Sequence, residues 1–246
     1  MKKTLLTFFS FLLLTQLYAQ NIEVSVQAYS GLFHYSGNSA TSTSAIYQGS
    51  TPRQNYTNNP YGSKSGFSYG GDIQGQYVSK NGFIGGLQAG YEVLRSRVDI
   101  NSFYYPITTD PFPGPNYPIP FHIPVKGQTF LQDQDIDLNP YIGYRWLIGK
   151  IKLDMMPGID LGFNINSYEK GKAKDNNGNV YQTDLKLLDA PTDVRLKLGV
   201  AATYKRFGIT AAYLHGLTNL YKNMNVNGSD DAHSELISFG ITYRIL

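Results

Sequence analysis

Ten charged residues recur at spacings that could do chemistry: Glu23, Asp72, Glu92, Arg145, Asp154, Asp160, Asp193, Arg195, Lys197 and Arg244. Arg145 and Asp154 flank Gly149-Lys150 symmetrically, so a turn there sets a cation opposite a carboxylate. Asp193, Arg195 and Lys197 alternate with Val194, Leu196 and Leu198, which puts three charges on one face of a strand. Charges gathered in this way can line an ion path or gate, or neutralise one another as a plug. His34 and His215 fall on the apolar parity of their strands, with Ser30 on the face of His34, a set that suggests hydrolysis. No third group to orient the histidine stands out. Asp175-Asn176-Asn177-Gly178-Asn179 opens like a calcium loop but lacks the closing acid, and Lys170, Lys172 and Lys174 stand close by. It reads as a hairpin tip.

The elements that must position these groups are clearest between Asp135 and Ile165. Counting outward from Gly149-Lys150 pairs Trp146 with Leu153, Tyr144 with Met155, Ile142 with Pro157, Pro140 with Ile159, Leu138 with Leu161 and Ile136 with Phe163. All are apolar and share one face. The other face pairs Arg145 with Asp154, Asn139 with Asp160, Asp137 with Gly162 and Asp135 with Asn164. Each arm alternates for about ten residues, the length a tilted strand needs to cross a bilayer.

The same pattern recurs along the chain. Strands are expected over Ile22 to about Phe33, Phe67–Tyr77, Phe83 to about Arg95, the two hairpin arms, Asp193–Tyr204, from Phe207, and through Ile237–Ile245. Tight turns fall at Lys80-Asn81-Gly82, Gly149-Lys150 and Lys205-Arg206; long polar connections fall at about 36–65, 98–130, 168–190 and 223–233. Eight antiparallel strands with strictly alternating long and tight connections predict an all-β, eight-stranded up-and-down transmembrane barrel, with long loops extracellular and both termini periplasmic. A soluble barrel would place the charged parity in a dry core, at great cost. Eight strands leave an interior that side chains can fill, so the charges read as a plug of ion pairs.

Residues 1–19 read as a secretory signal: Lys2 and Lys3, the apolar run Leu5–Leu14, and Leu17-Tyr18-Ala19 before Gln20. Of 21 basic residues, those beyond Lys2 and Lys3 number 19, against 18 acidic ones, a balance that gives no sign of a nucleic-acid partner. There is no cysteine, hence no disulfide framework, and nothing calls for a cofactor or a metal. Two prolines, Pro140 and Pro157, fall inside spanning strands and predict a bulge or break near one of them. The connection 98–130 carries seven of twelve prolines, with Tyr104, Tyr105, Phe112, Tyr117 and Phe121 as candidate surface-binding residues.

Strands six to eight carry a family resemblance. Asp193, Lys197-Leu198-Gly199-Val200, Phe207, and Tyr213-Leu214-His215-Gly216-Leu217-Thr218-Asn219-Leu220, with Asn139-Pro140-Tyr141 and Tyr243-Arg244, resemble outer-membrane β-barrel (PorT-like, porin family) proteins of the Bacteroidota. The resemblance implies a Gram-negative outer membrane and, through PorT, an accessory place in a secretion machine. The expected partners are outer-membrane lipid and lipopolysaccharide, the barrel-assembly machinery, and an extracellular ligand or secretion-complex component. The expected role is structural or surface-binding, not enzymatic; a lipid A-modifying enzyme and a small pore are the alternatives.

Overall fold

The computed structural model describes residues 22–49, 55–105, 122–187, 191–221 and 230–246. Among these are β1 (Ile22–Ser36), β2 (Thr43–Tyr47), β3 (Tyr56–Thr57), β4 (Lys64–Val78), β5 (Phe83–Tyr104), β6 (His122–Ile148), β7 (Ile151–Lys174), β8 (Val180–Leu187), β9 (Asp193–Tyr204), β10 (Phe207–Gly216) and β11 (His233–Arg244). Eight of them close a ring of antiparallel pairs in the order β1, β4, β5, β6, β7, β9, β10, β11 and back to β1. Closure leaves no unpaired edge in the ring, the condition for a sheet to cross hydrocarbon. Two of the tight turns use glycine at positive φ: Gly82 at 90° and Gly149 at 62°.

The central hairpin forms in the expected register, with Trp146 opposite Leu153, Arg145 opposite Asp154 and Ile136 opposite Phe163. Ile136 is 49% and Ile241 67% exposed on the outer wall, whereas Asp154 is 3% exposed on the inner one. The outer wall is therefore the apolar one. Tyr77, Phe83, Trp146, Tyr204, Phe207 and Tyr243 ring it at the end with the tight turns, as amphipathic rings do at a membrane interface.

The prolines interrupt the β6–β7 ladder without shifting it. Leu138 pairs with Leu161 and Tyr141 with Gly158 in one unbroken count, and Asn139 Nδ2 donates to the Ile159 carbonyl at 2.9 Å where Pro140 has no N–H to offer. The bulge lies elsewhere: Gln134 pairs with Asn166 and Asp135 with Asn164, so Ile165 is the extra residue. It resets the parity of β7. Beyond it Ser167 and Glu169 point inward, and Tyr168, Lys170, Lys172 and Lys174 outward.

The long connections are where the expected boundaries fail. Much of 36–65, 98–130 and 168–190 is sheet: β5 runs on to Tyr104, β6 begins at His122, β7 reaches Lys174, and β2, β3 and β8 are additional strands. β2 lies parallel to β5, and the upper sheet reads β3-β2-β5-β6-β7-β8. Here the dressing inverts. Outward positions become Arg95, Arg97 and Asp99, and the inner face buries Ile46, Val98, Ile100, Phe103, Val125 and Ala173 as a core. Above the belt no hydrocarbon rewards outward apolar groups, so the sheet curls and buries them against itself. Asn55 Nδ2 to the Gln182 carbonyl (3.0 Å) and Thr57 N to Glu169 Oε1 (2.8 Å) draw its far edges together. The Asp175–Asn179 tip is a closed turn, as expected: Asp175 Oδ1 accepts from the Asn177 and Asn179 amides at 2.8 and 2.9 Å. Residues 1–19, Phe112, Tyr117 and Phe121 lie outside the described residues.

Candidate functional site

Inward parity on seven of the eight ring strands brings all ten charged residues singled out above into one lumen, in two layers. Near the tight turns, Arg145 donates to both oxygens of Asp154 at 2.6 Å and to both oxygens of Glu23 at 2.8 Å. Lys152 and Arg244 each reach Glu23 Oε1 at 3.0 Å. A glutamine layer follows: Gln76 Nε2 bonds Glu23 Oε2 at 2.8 Å, Tyr141 donates to Gln76 Oε1 at 2.9 Å, and Gln88 donates to Gln74 Oε1 at 3.1 Å.

The second charge layer centres on Arg195, which is 0% exposed. Its guanidinium holds Glu92 Oε1 at 2.5 Å and Asp160 Oδ2 at 2.8 Å, with Asp193 at 3.9 Å. Lys197 Nζ bonds Gln88 Oε1 at 2.8 Å and stands 4.0 Å from Asp160. Phe33, Tyr35, Leu94, Leu131, Leu214 and Leu236 then seal the lumen with an apolar cap. Cavities of about 30 and 20 Å³ lie between these layers, the first lined by Asp72, Glu92, Asp160 and Lys197. They have the size of single waters. Among the described residues, side chains fill the lumen.

Three further charges of this interior are not among those singled out above. Lys152 sits two residues past the tight turn on the inward parity of Asp154, Asp133 keeps the inward parity of Asp135 above the belt, and Glu169 alone changes parity, through the Ile165 bulge. Asp133 accepts from Tyr35 OH at 2.6 Å, and Glu169 from Thr57 Oγ1 at 2.6 Å. Only the unexpected extension of β6 and β7 gives Asp133 and Glu169 a place.

The outer face of the upper sheet is built by cross-strand register. Arg95, Gln132, Tyr168 and Lys186 stand side by side across β5 to β8; the next step up is Arg97, Phe130, Lys170 and Asp184, then Asp99, Gln128, Lys172 and Gln182. Lys64 pairs with Arg97, and Lys126 with Lys174. Eight cations thus share the face with two carboxylates, each already ion-paired, Asp99 with Lys64 and Asp184 with Lys170. Arg95 packs over the Tyr69 ring at 5.6 Å, and Lys170 over Tyr168 at 5.4 Å.

At the far tip Tyr56, Tyr47, Tyr104 and His122 form one stacked ladder across β3, β2, β5 and β6, at centroid spacings of 5.7, 4.7 and 5.1 Å. Of the candidate surface-binding residues, Tyr104 is in this ladder. Tyr105 is turned the other way, edge-on to Phe103 at 5.0 Å.

On the opposite wall, His215 Nδ1 meets Glu235 Oε1 at 2.6 Å, and Glu235 also accepts from Tyr213 OH at 2.5 Å and Ser36 Oγ at 3.3 Å. His34 is the register partner of Glu235, so the expected pair of histidines does converge. Ser30 does not join them: it pairs with Phe239, two outward positions lower. Among the described residues no group of three or more His, Asp or Glu is arranged to hold a metal ion.

A family model described as "Outer membrane protein beta-barrel domain" matches residues 16–222. The chain belongs to that family. The apolar wall of this outer-membrane β-barrel is thus its hydrocarbon contact. No curated protein sequence matches it. Among solved structures it is similar to Ail, the attachment invasion locus protein of Yersinia pestis, at 11% identity over 92% of this chain and 98% of that one, TM-score 0.31. It is also similar to Neisserial surface protein A, at 14% identity over 89% and 96%, TM-score 0.34. At these scores the likenesses carry nothing about activity. Past the end of β10, the Gly216–Asn219 stretch is a structural clasp: Thr218 Oγ1 accepts from Val194 N at 2.9 Å, and Asn219 takes the Tyr221 and Ala232 amides at 3.0 and 3.2 Å.

Proposed function

We propose that this outer-membrane barrel conducts nothing and catalyses nothing, and that its work is binding, done outside the cell by the sheet raised on β5, β6 and β7. The observation that carries this reading is the inversion of dressing above the belt. Three strands continue for several turns of alternation past the membrane, acquire a core of their own, and end in an aromatic ladder. A barrel serving only as a wall needs no such extension. A stiff sheet loses little conformational entropy when a partner docks, which favours binding.

The test places a photo-crosslinking side chain at position 104 or, as control, at position 241, on intact cells. Adducts to an extracellular macromolecule from 104 and to lipid alone from 241 are the expected result. Steady conductance in planar bilayers would overturn the plugged lumen, and a changed lipid A acylation pattern in His215→Ala cells would overturn the non-enzymatic reading.

The resemblance to PorT-like proteins favours a second reading, an accessory component of a secretion machine. The residues behind it are the clasp around Thr218 and Asn219, whose contacts are internal. Stable co-purification with a membrane complex after mild solubilisation would favour this reading over a free-standing binder.

A further inference from the structure

We propose that the basic outer face of β5 to β8 binds the phosphate groups of an outer-leaflet glycolipid whose acyl chains lie along the belt directly beneath. The proposal rests on the reading that the upper sheet faces the cell exterior. It names what that side of the sheet would hold.

Height selects the ligand. Arg95 follows the belt residue Tyr91 by four positions, about 13 Å along a strand and roughly 10 Å along the membrane normal at a tilt near 40°. That is where headgroup phosphates begin. Lys170 and Lys172 stand one and two steps higher, exposed, and positioned for phosphates borne on the glycan.

Charge and order favour anions. The two carboxylates on the face are already paired to Lys64 and Lys170, which leaves six of the eight cations in excess of the acids that share the face. Lys126 and Lys174 are direct register partners, an arrangement that repels until an anion sits between them. Arg95 is held in place by the Tyr69 ring and by its Nε bond to Gln132 Oε1 at 2.7 Å, so it is oriented before any ligand arrives. At the same height the opposite wall carries His34, Glu235 and His215. The preference is therefore one-sided. A soluble polyanion would use the charges and leave the belt below them irrelevant, whereas a phosphorylated amphiphile engages both surfaces at once.

The experiment uses the full chain in phosphatidylcholine nanodiscs and measures retention of bisphosphorylated lipid A against the same lipid with both phosphates removed. Wild type should prefer the phosphorylated form, with the preference falling as salt is raised. The variant Arg95→Gln/Arg97→Gln/Lys170→Gln/Lys172→Gln should lose about tenfold or more of that preference, and the turn-end variant Lys205→Gln/Arg206→Gln none. Should the fourfold variant not fold, Lys170→Glu/Lys172→Glu, two exposed positions, carries the same expectation. Equal retention of the two lipids, or a folded variant indistinguishable from wild type, would sink the proposal. So would displacement by a sulfated polysaccharide as effective as lipid A, since that would assign the face to a soluble polyanion. Labelling of Lys172→Cys by an impermeant maleimide on intact cells reports separately which side of the membrane the sheet occupies, so failure of that reading is distinguishable from failure of the lipid site.

Discussion

Arg145 reaches across the lumen to Glu23, bonding both carboxylate oxygens at 2.8 Å although the two residues lie 122 positions apart. With its grip on Asp154 this joins β1 to the β6–β7 hairpin through the interior, between strands that do not pair in the backbone ladder. A closed sheet can shear; a guanidinium tied to two walls resists that.

Replacing Arg145 with alanine should cost about 3–5 kcal/mol, because Asp154 is left as an uncompensated buried charge. Denaturant unfolding in detergent micelles measures it. Adding Asp154→Asn should recover a substantial part, since the two residues share one interaction. A double variant no more stable than the single would show that the pair is incidental.

Deleting Ile165 removes the extra residue, so that Asn166 follows Asn164 directly in the ladder with β6. Ser167 and Glu169 would stay inward and Tyr168 and Lys170 outward. The expectation is that barrel and upper sheet both still form, read as protease protection of 166–187 along with the spanning strands. Deleting Ser167 instead, with Ile165 kept, should turn Glu169 outward and expose 166–187 to cleavage. Equal protection in both deletions would mean that the bulge does not set the parity.

Glu169, in the part of β7 above the belt, is deeply buried, and burial pushes its carboxyl above the ordinary value of 4.5 against the lowering effect of the Thr57 donors. The folded state therefore keeps a proton that the unfolded chain releases. Its stabilising contribution is full below 4.5 and is lost as pH rises through the folded-state value. Hydrogen exchange at the β3–β2 amides, corrected for intrinsic rates, should show protection falling as pH rises. Glu169→Gln, which keeps the acceptor for Thr57, should flatten the dependence.

Tyr47 stands between Tyr56 and Tyr104 in the aromatic ladder and anchors the two-residue β3 to the sheet. Tyr47→Ala should cost about 1–3 kcal/mol locally from two ring contacts and raise exchange at Tyr56 and Thr57 without changing the unfolding midpoint of the barrel. A global shift would show that the upper sheet and the barrel unfold as one unit.

Period-two alternation in the strands between Ile22 and Ile245 determined the barrel, its apolar outer wall, its charged lumen and the cross-strand pair of Arg145 with Asp154. Strand parity is a local property: once one face of a strand is hydrocarbon, every second residue is committed. The turn chemistry at Asn81-Gly82 and Gly149-Lys150 then set the register, and ring closure placed Arg244 beside Glu23. What alternation could not convey is where the solvent outside the wall changes. Val98 and Ile100 alternate as regularly as Val200 or Ile241, but in the opposite phase relative to the lumen, and with Phe103, which lies past a second register shift, they pass for loop by sequence. Only the tertiary structure decides that phase, because it depends on whether lipid or another part of the sheet covers the apolar side. The same dependence governs the Ile165 bulge, the burial of Glu169 against Thr57, the step-by-step array of cations across β5 to β8, and the four-ring ladder at the tip. Each is a contact between strands far apart in sequence, fixed by how the upper sheet curls and by nothing written within a single strand.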